Sequence, residues 1–307
     1  MHYAKDDMAK KGPTGPGGLI VVDKPAGMTS HDVVSKVRRI AGTRRVGHAG
    51  TLDPMATGVL VLGVERSTKL MNHLILTDKT YRATIRLGMA TSTDDAEGTV
   101  LSTASAAGLD PGAVTAAVAT LTGEILQRPS SVSAIKVGGE RAYALVRAGQ
   151  TVDLAPRPVT VERFEILGEP RQVGDFCDVD VVIDCTSGTY IRALARDLGD
   201  LLGVGGHLTA LRRMRVGVFS LDQALTLERL AELPDPIMLP LPAAIAATMP
   251  VRRLAPDEAS ELTFGRTIAP AGIEGVYGGI AETGEAVALL RESGGRARPV
   301  LGFTPAS

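Results

Sequence analysis

The apolar run Val59–Val64 reads as a buried strand, and the stretch leading into it, RRVGHAGTLDPMATG, restricts the local fold more than any other part of the chain. Three glycines, Gly47, Gly50 and Gly58, surround His48 and the dipeptide Asp53-Pro54. Pro54 biases Asp53 away from helical backbone angles, so its carboxylate takes a fixed extended or turn geometry. The glycines leave room for another backbone or a large ligand to approach. Arg44, Arg45 and His48 make that approach cationic, which suits a phosphate-bearing partner. An Asx-type turn, with Asp53 bonding its own backbone, uses the same residues. Spacing alone favours the turn.

The chain has 307 residues, enough for one large domain and a small one. Its 44% hydrophobic and 22% charged content is that of a globular chain, not a disordered one. No stretch approaches the roughly 18 apolar residues of a membrane span. Residues 1–17 carry no apolar signal core and read as a flexible arm. The two cysteines, Cys177 and Cys185, fall in one strand, roughly 26 Å apart, beyond disulfide reach. No two of the five histidines have metal-ligand spacing. A reduced, cytoplasmic, metal-free protein is the expectation. Net charge is −1, yet Lys36, Arg38, Arg39, Arg44 and Arg45 cluster, as do Arg192, Arg196, Arg212, Arg213 and Arg215. Clustering on a neutral chain predicts one basic face.

Leu19–Val22 reads as a strand, followed by a Pro/Gly turn and a helix with Val33, Val34, Val37 and Ile40 on one face, ending at Gly42. Ser67–Leu76 reads as a helix, and Tyr81–Leu87 alternates as a half-buried strand. Asp94, Asp95 and Glu97 read as a solvated turn rather than a metal site. Asp110-Pro111 opens a helix that Gly123 closes. Val159–Leu167 and Cys177–Cys185 are further strands, and a helix places Ile191, Leu194 and Leu198 inward. Pro234–Pro250 holds five prolines and reads as a linker. Beyond it come a short helix, Pro256–Phe264, and a hairpin turning at Glu282–Glu285.

The gapless run Gly47–Leu60, GHAGTLDPMATGVL, closely resembles the catalytic motif of the TruB family of tRNA pseudouridine-55 synthases. Ala49 stands where a threonine is usual; the His, Gly, Asp and Pro are all present. Asp23-Lys24-Pro25 with Gly27 and Ser30 resembles the family's first motif, and Lys79-Thr80-Tyr81 its Lys-x-Tyr. Pro129, Ser133, Ala134, Lys136, Gly139 and Tyr143 resemble a segment that closes over RNA. Gly188–Arg192 (GTYIR) and Gly205–Arg213 complete the set, and the stronger resemblance covers residues 18–219.

The resemblance implies an α+β pseudouridine synthase fold: a mixed, largely antiparallel central sheet flanked by helices. It implies a catalytic domain over 18–233, a linker over 234–250, and a small, mostly β, PUA-like RNA-binding module over 251–307. The implied activity is isomerisation of uridine at position 55, in the TΨC loop of tRNA, with Asp53 as nucleophile. Lys24, His48, Tyr81, Tyr190, Arg192 and Leu211 are the implied substrate contacts, with Tyr81 stacking on the flipped base and the pair Arg212-Arg213 bordering the RNA. An arginine in a first helical turn opposes the helix dipole, so Arg192 needs a carboxylate, and Asp53 is the expected one. Isomerisation adds and removes nothing, so no cofactor or metal is expected, and tRNA is the expected partner of a monomer without an obligate protein partner. Two other classes fit the motifs less well. A non-catalytic RNA binder has no need of Asp53, Tyr81 and Arg192 together, and a glycoside hydrolase needs a second paired carboxylate.

Overall fold

The computed structural model describes residues 17–130, 136–137, 140–141 and 154–303. The motif residues Ser133, Ala134, Gly139 and Tyr143 lie outside them.

An eleven-stranded sheet dominates the structure. Its spatial order is β15 (Leu239–Pro240), β1 (Gly18–Lys24), β3 (Thr57–Val64), β13 (Gly206–Val216), β4 (Lys79–Leu87), β12 (Phe176–Cys185), β10 (Arg157–Ile166) and β7 (Gly123–Gln127). β2 (Val46–Ala49), β11 (Arg171–Val173) and β14 (Phe219–Ser220) pair with β3, β12 and β13. Neighbours run antiparallel except β3 and β13, which are parallel, so the expected mixed sheet is present. Two short hairpins, β5 (Met89–Thr91) with β6 (Val100–Thr103) and β8 (Lys136–Val137) with β9 (Glu140–Arg141), stand apart. A second sheet orders β16 (Val251–Leu254), β17 (Val276–Ala281), β18 (Ala286–Ser293) and β19 (Arg296–Gly302).

The unbroken apolarity of β3 has a structural reason: both of its faces are covered. Leu60 and Leu62 pack with Val33, Val34 and Val37 of the helix Ser30–Ile40. Val59 and Val61 pack with Leu241, Ala244 and Ile245 of the helix Leu241–Thr248. A third cluster joins Ala83, Ile85 and Leu87 of β4, Val179, Val181 and Ile183 of β12, and Leu194 and Leu198 of the helix Ile191–Leu201. On the other face of β4 and β12 polar residues meet across the strands. Arg86 binds Asp178 through two bonds of 2.7 and 2.8 Å, and Thr84 binds Asp180 at 2.6 Å.

Residues 234–250 differ from the expected linker. β15 adds to the edge of β1, and Leu241, Ala244 and Ile245 are fully buried against β1, β3 and β18. Prolines misled here because Pro240 caps the helix and Pro242 sits in its first turn, where a missing N–H costs nothing. The expected helix over Ser67–Leu76 is a 3₁₀ turn, Glu65–Leu70, continued by a single α-turn, Met71–Leu74.

The parallel pairing of β3 with β13 requires glycine at 58. Its φ is +101°, and an added Cβ would stand 2.2 Å from the Arg213 carbonyl oxygen. Gly58→Ala is expected to destabilise the protein by about 1–3 kcal/mol or more, read as a lowered Tm in thermal unfolding. An unchanged Tm would contradict this pairing.

Candidate active site

Asp53 lies in the loop between β2 and β3, and the carbonyls of five consecutive loop residues are fixed. Gly50 and Thr51 accept from the Arg213 guanidinium at 3.0 and 3.4 Å. The Leu52 carbonyl accepts from Ser30 Oγ at 3.1 Å, and Ser30 Oγ accepts from the Leu52 N–H at 2.9 Å. The Asp53 carbonyl accepts from the Ala56 N–H, and that of Pro54 from Gly27 N–H and Lys24 Nζ. The proline-biased geometry expected for this loop is thereby held from three directions.

The Asp53 side chain meets Arg192 in a two-pronged contact, Nε to Oδ2 at 3.0 Å and Nη2 to Oδ1 at 3.2 Å. Planar guanidinium matches planar carboxylate, which fixes orientation as well as charge. Arg192 sits in the first turn of the helix Ile191–Leu201, with its side chain only 6% exposed. It also reaches the Thr93 carbonyl at 2.8 Å and Asp95 Oδ2 at 3.5 Å. Asp95 is therefore no part of a solvated turn: it is buried beneath Arg192, and neighbouring Asp94 pairs with Arg196. A loop rich in acids looks like surface until the buried cations it serves are known.

Asp53, Tyr81, Tyr190, Arg192 and Leu211 line one cavity of about 260 Å³, with Gly50, Ile75, Lys79, Ser187 and Arg213 among its other walls. Tyr81 is the third residue of β4, directly opposite Arg213 of β13. Burial pushes its hydroxyl above the usual tyrosine range, and the Arg213 guanidinium pulls it partly back. Tyr190 is held by Gln127, whose side-chain amide bonds both its N–H and its carbonyl, at 2.8 and 3.0 Å.

Lys24 and His48 do not line the cavity. Lys24 is fully buried; its Nζ donates to the carbonyls of Pro25, Met28 and Pro54, so it braces the loop from below and has no face for substrate. Burial, opposed by the Asp53 charge, brings it down to about 8. His48 lies on β2, half-buried, its ring 5.8 Å from that of His31 in an edge-on contact. Burial and His31 hold its pKa below the ordinary histidine value.

The basic face expected from the second arginine cluster is also absent as such. Arg213 is 1% exposed, Arg212 pairs with Asp23, Arg215 with Asp78, and Arg196 with Asp94 and Asp197. Counting arginines missed this; strand alternation supplies the signal, because Leu211 and Arg213 are two apart and share the inward face.

A loop-borne carboxylate gripped by a buried guanidinium beside a buried tyrosine suits nucleophilic chemistry on a flat ring. The chain belongs to the TruB family of pseudouridylate synthases: residues 38–191 match the family's N-terminal domain. Residues 192–236 match the tRNA pseudouridylate synthase B C-terminal domain, and 249–304 the tRNA pseudouridine synthase II C-terminal domain. The tRNA pseudouridine synthase B of Nocardia farcinica is 61% identical over 289 residues, covering 94% of each chain. That of Rhodococcus jostii is 59% identical, covering 94% of this chain and 95% of its own. An archaeal box H/ACA Nop10–Cbf5 structure superposes with a TM-score of 0.69 at 26% identity, over 94% of this chain and 87% of that one.

Proposed function

We propose that this enzyme converts uridine to pseudouridine at position 55 of the tRNA TΨC loop, with Asp53 as nucleophile and without a cofactor or an obligate protein partner. The observation that carries the reading is the two-pronged Arg192–Asp53 pair opening onto the cavity beside Tyr81. Isomerisation of a tRNA uridine agrees with the curated relatives named tRNA pseudouridine synthase B.

The target base leaves the folded loop and enters the cavity, where Tyr81 offers a ring to stack on. Asp53 attacks either the base or C1′; on both routes the C1′–N1 bond breaks with its electron pair leaving on the base. The base turns, C5 bonds to C1′, the bond to Asp53 breaks to regenerate the carboxylate, and the C5 proton is finally exchanged for one at N1. Arg192 keeps the carboxylate aimed throughout. Incubation of a tRNA transcript followed by chemical mapping of pseudouridine tests this: one modified position, 55, is expected, and modification elsewhere or nowhere contradicts it.

Tyr81 separates into two roles by two substitutions. Base–aromatic stacking is worth roughly 1–3 kcal/mol and needs no hydroxyl, so Tyr81→Phe is expected to bind the flipped base normally. If the hydroxyl takes the C5 proton, the Phe variant slows at the last step, and C5-deuterated uridine shows a larger isotope effect in single-turnover kinetics. Tyr81→Leu is expected to lose base capture as well. Equal behaviour of Phe and Leu would remove stacking from the account.

Chelation is expected to leave activity unchanged, because the described residues hold no group of three side chains able to bind a metal and the reaction has no net redox or hydrolytic step. A loss with EDTA that zinc restores, in tRNA folded independently of magnesium, would contradict it.

A further inference from the structure

Two buried cations at the cavity wall donate to backbone carbonyls and have no carboxylate partner, and one of them, Arg213, also reaches the Tyr81 hydroxyl. Arg213, 1% exposed, donates to the carbonyls of Val59, Thr51 and Gly50. Lys79, 7% exposed, donates through Nζ to the carbonyls of Ile75 and Thr77. Neither is paired with a carboxylate among the described residues. Arg86, Arg192, Arg196, Arg212 and Arg215, by contrast, each have one. Burying a charge without a counter-charge is costly, and here two like charges are buried side by side: burial first and Arg213 second bring Lys79 down to about 8. A fold needing only anchors for these carbonyls could use neutral donors.

The charge balance at the cavity indicates what the cations face. Its charged walls are Lys79, Arg192, Arg213 and Asp53, and Asp95 lies behind Arg192. Three cations against two carboxylates leave one positive charge in excess while Asp53 is ionised. Once Asp53 forms a covalent bond its own negative charge is spent, and the excess becomes two.

We propose that Lys79 and Arg213 hold the departing uracil as an anion, stabilising the negative charge that moves from Asp53 onto the base when the C1′–N1 bond breaks. The electron pair of that bond goes to N1 and spreads over the ring oxygens. The pair then forms the C5–C1′ bond, the bond to Asp53 breaks with its electrons returning to the carboxylate, and the C5 proton is replaced by one at N1, so no outside oxidant, reductant or acid is required. Preorganised positive groups in a water-poor site act on such developing charge without reorganising. This inference rests on the isomerase reading above and adds two residues and a charge state to it.

The test compares tRNA transcripts made with uridine or with 5-fluorouridine, whose more acidic base needs less help to leave as an anion. Single-turnover loss of the N-linked nucleoside at the target is read by nuclease digestion and mass spectrometry. Lys79→Gln and Arg213→Gln are expected to lose about a hundredfold in rate on uridine and only about tenfold on 5-fluorouridine. Arg213→Lys, which keeps the charge but not the three-way grip, is expected to lose rate equally on both. Lys79→Gln decides the matter if the Arg213 variants fail to fold, because Lys79 does not bind the Asp53 loop. Equal losses on the two bases in Lys79→Gln would overturn the proposal and make the role structural. Failure of the wild-type enzyme to convert uridine would instead overturn the isomerase reading.

Discussion

Asp53→Asn is expected to abolish isomerisation while leaving tRNA affinity within about tenfold, roughly 1.4 kcal/mol. The amide has the shape of the carboxylate but neither its charge nor its nucleophilicity, so no covalent step begins. The loop survives the change, because its backbone is fixed by Arg213, Ser30 and Lys24 and not by the Asp53 side chain. Arg192 keeps Asp95 and the Thr93 carbonyl as partners. Binding rests mainly on phosphate contacts that one carboxylate hardly alters. Filter binding and single-turnover assay of the same preparation check both halves. A large loss of affinity would mean that Asp53 shapes the binding surface.

Arg192→Lys is expected to lose about a hundredfold or more in rate with the formal charge unchanged. The guanidinium presents parallel N–H groups at 3.0 and 3.2 Å to the two Asp53 oxygens while a third nitrogen reaches Thr93 and Asp95. An ammonium is a point charge on a shorter reach and cannot satisfy both carboxylates in those geometries. A nucleophile displaced by about 1 Å can cost a hundredfold. The expected signature is a fall in the single-turnover rate at saturating tRNA, with little change in affinity. A near-normal rate would reduce Arg192 to a source of bulk field.

The parts of the site visible in the sequence are those whose residue type conflicts with its local setting. An aspartate before proline at the mouth of an apolar strand, and an arginine in a first helical turn, each need an explanation, and each is the other's partner. β3 was readable because burial on both faces leaves no room for polar residues. Asp95 escaped because its loop has the composition of solvent-exposed turns, and only Arg192, ninety-seven residues later in the chain, makes it a buried group. Arg213 escaped because its partners are backbone carbonyls, which carry no residue identity to read. Lys24, expected as a substrate contact, spends its Nζ on three backbone carbonyls, which are equally illegible in a sequence. The helix Leu241–Thr248 is hidden by its own prolines, which sit at the cap and in the first turn, where they start a helix instead of breaking it.

Release of tritium from C5-labelled uridine in a tRNA transcript, by the wild-type enzyme and by Asp53→Asn, tests the account most directly, since the C5 hydrogen leaves only when C5 has bonded to C1′. The account predicts one equivalent of tritium per tRNA with the wild type, lost when position 55 is replaced by cytidine, and none with Asp53→Asn. Release by the Asn variant with host enzyme excluded, or none by the wild type, would contradict it.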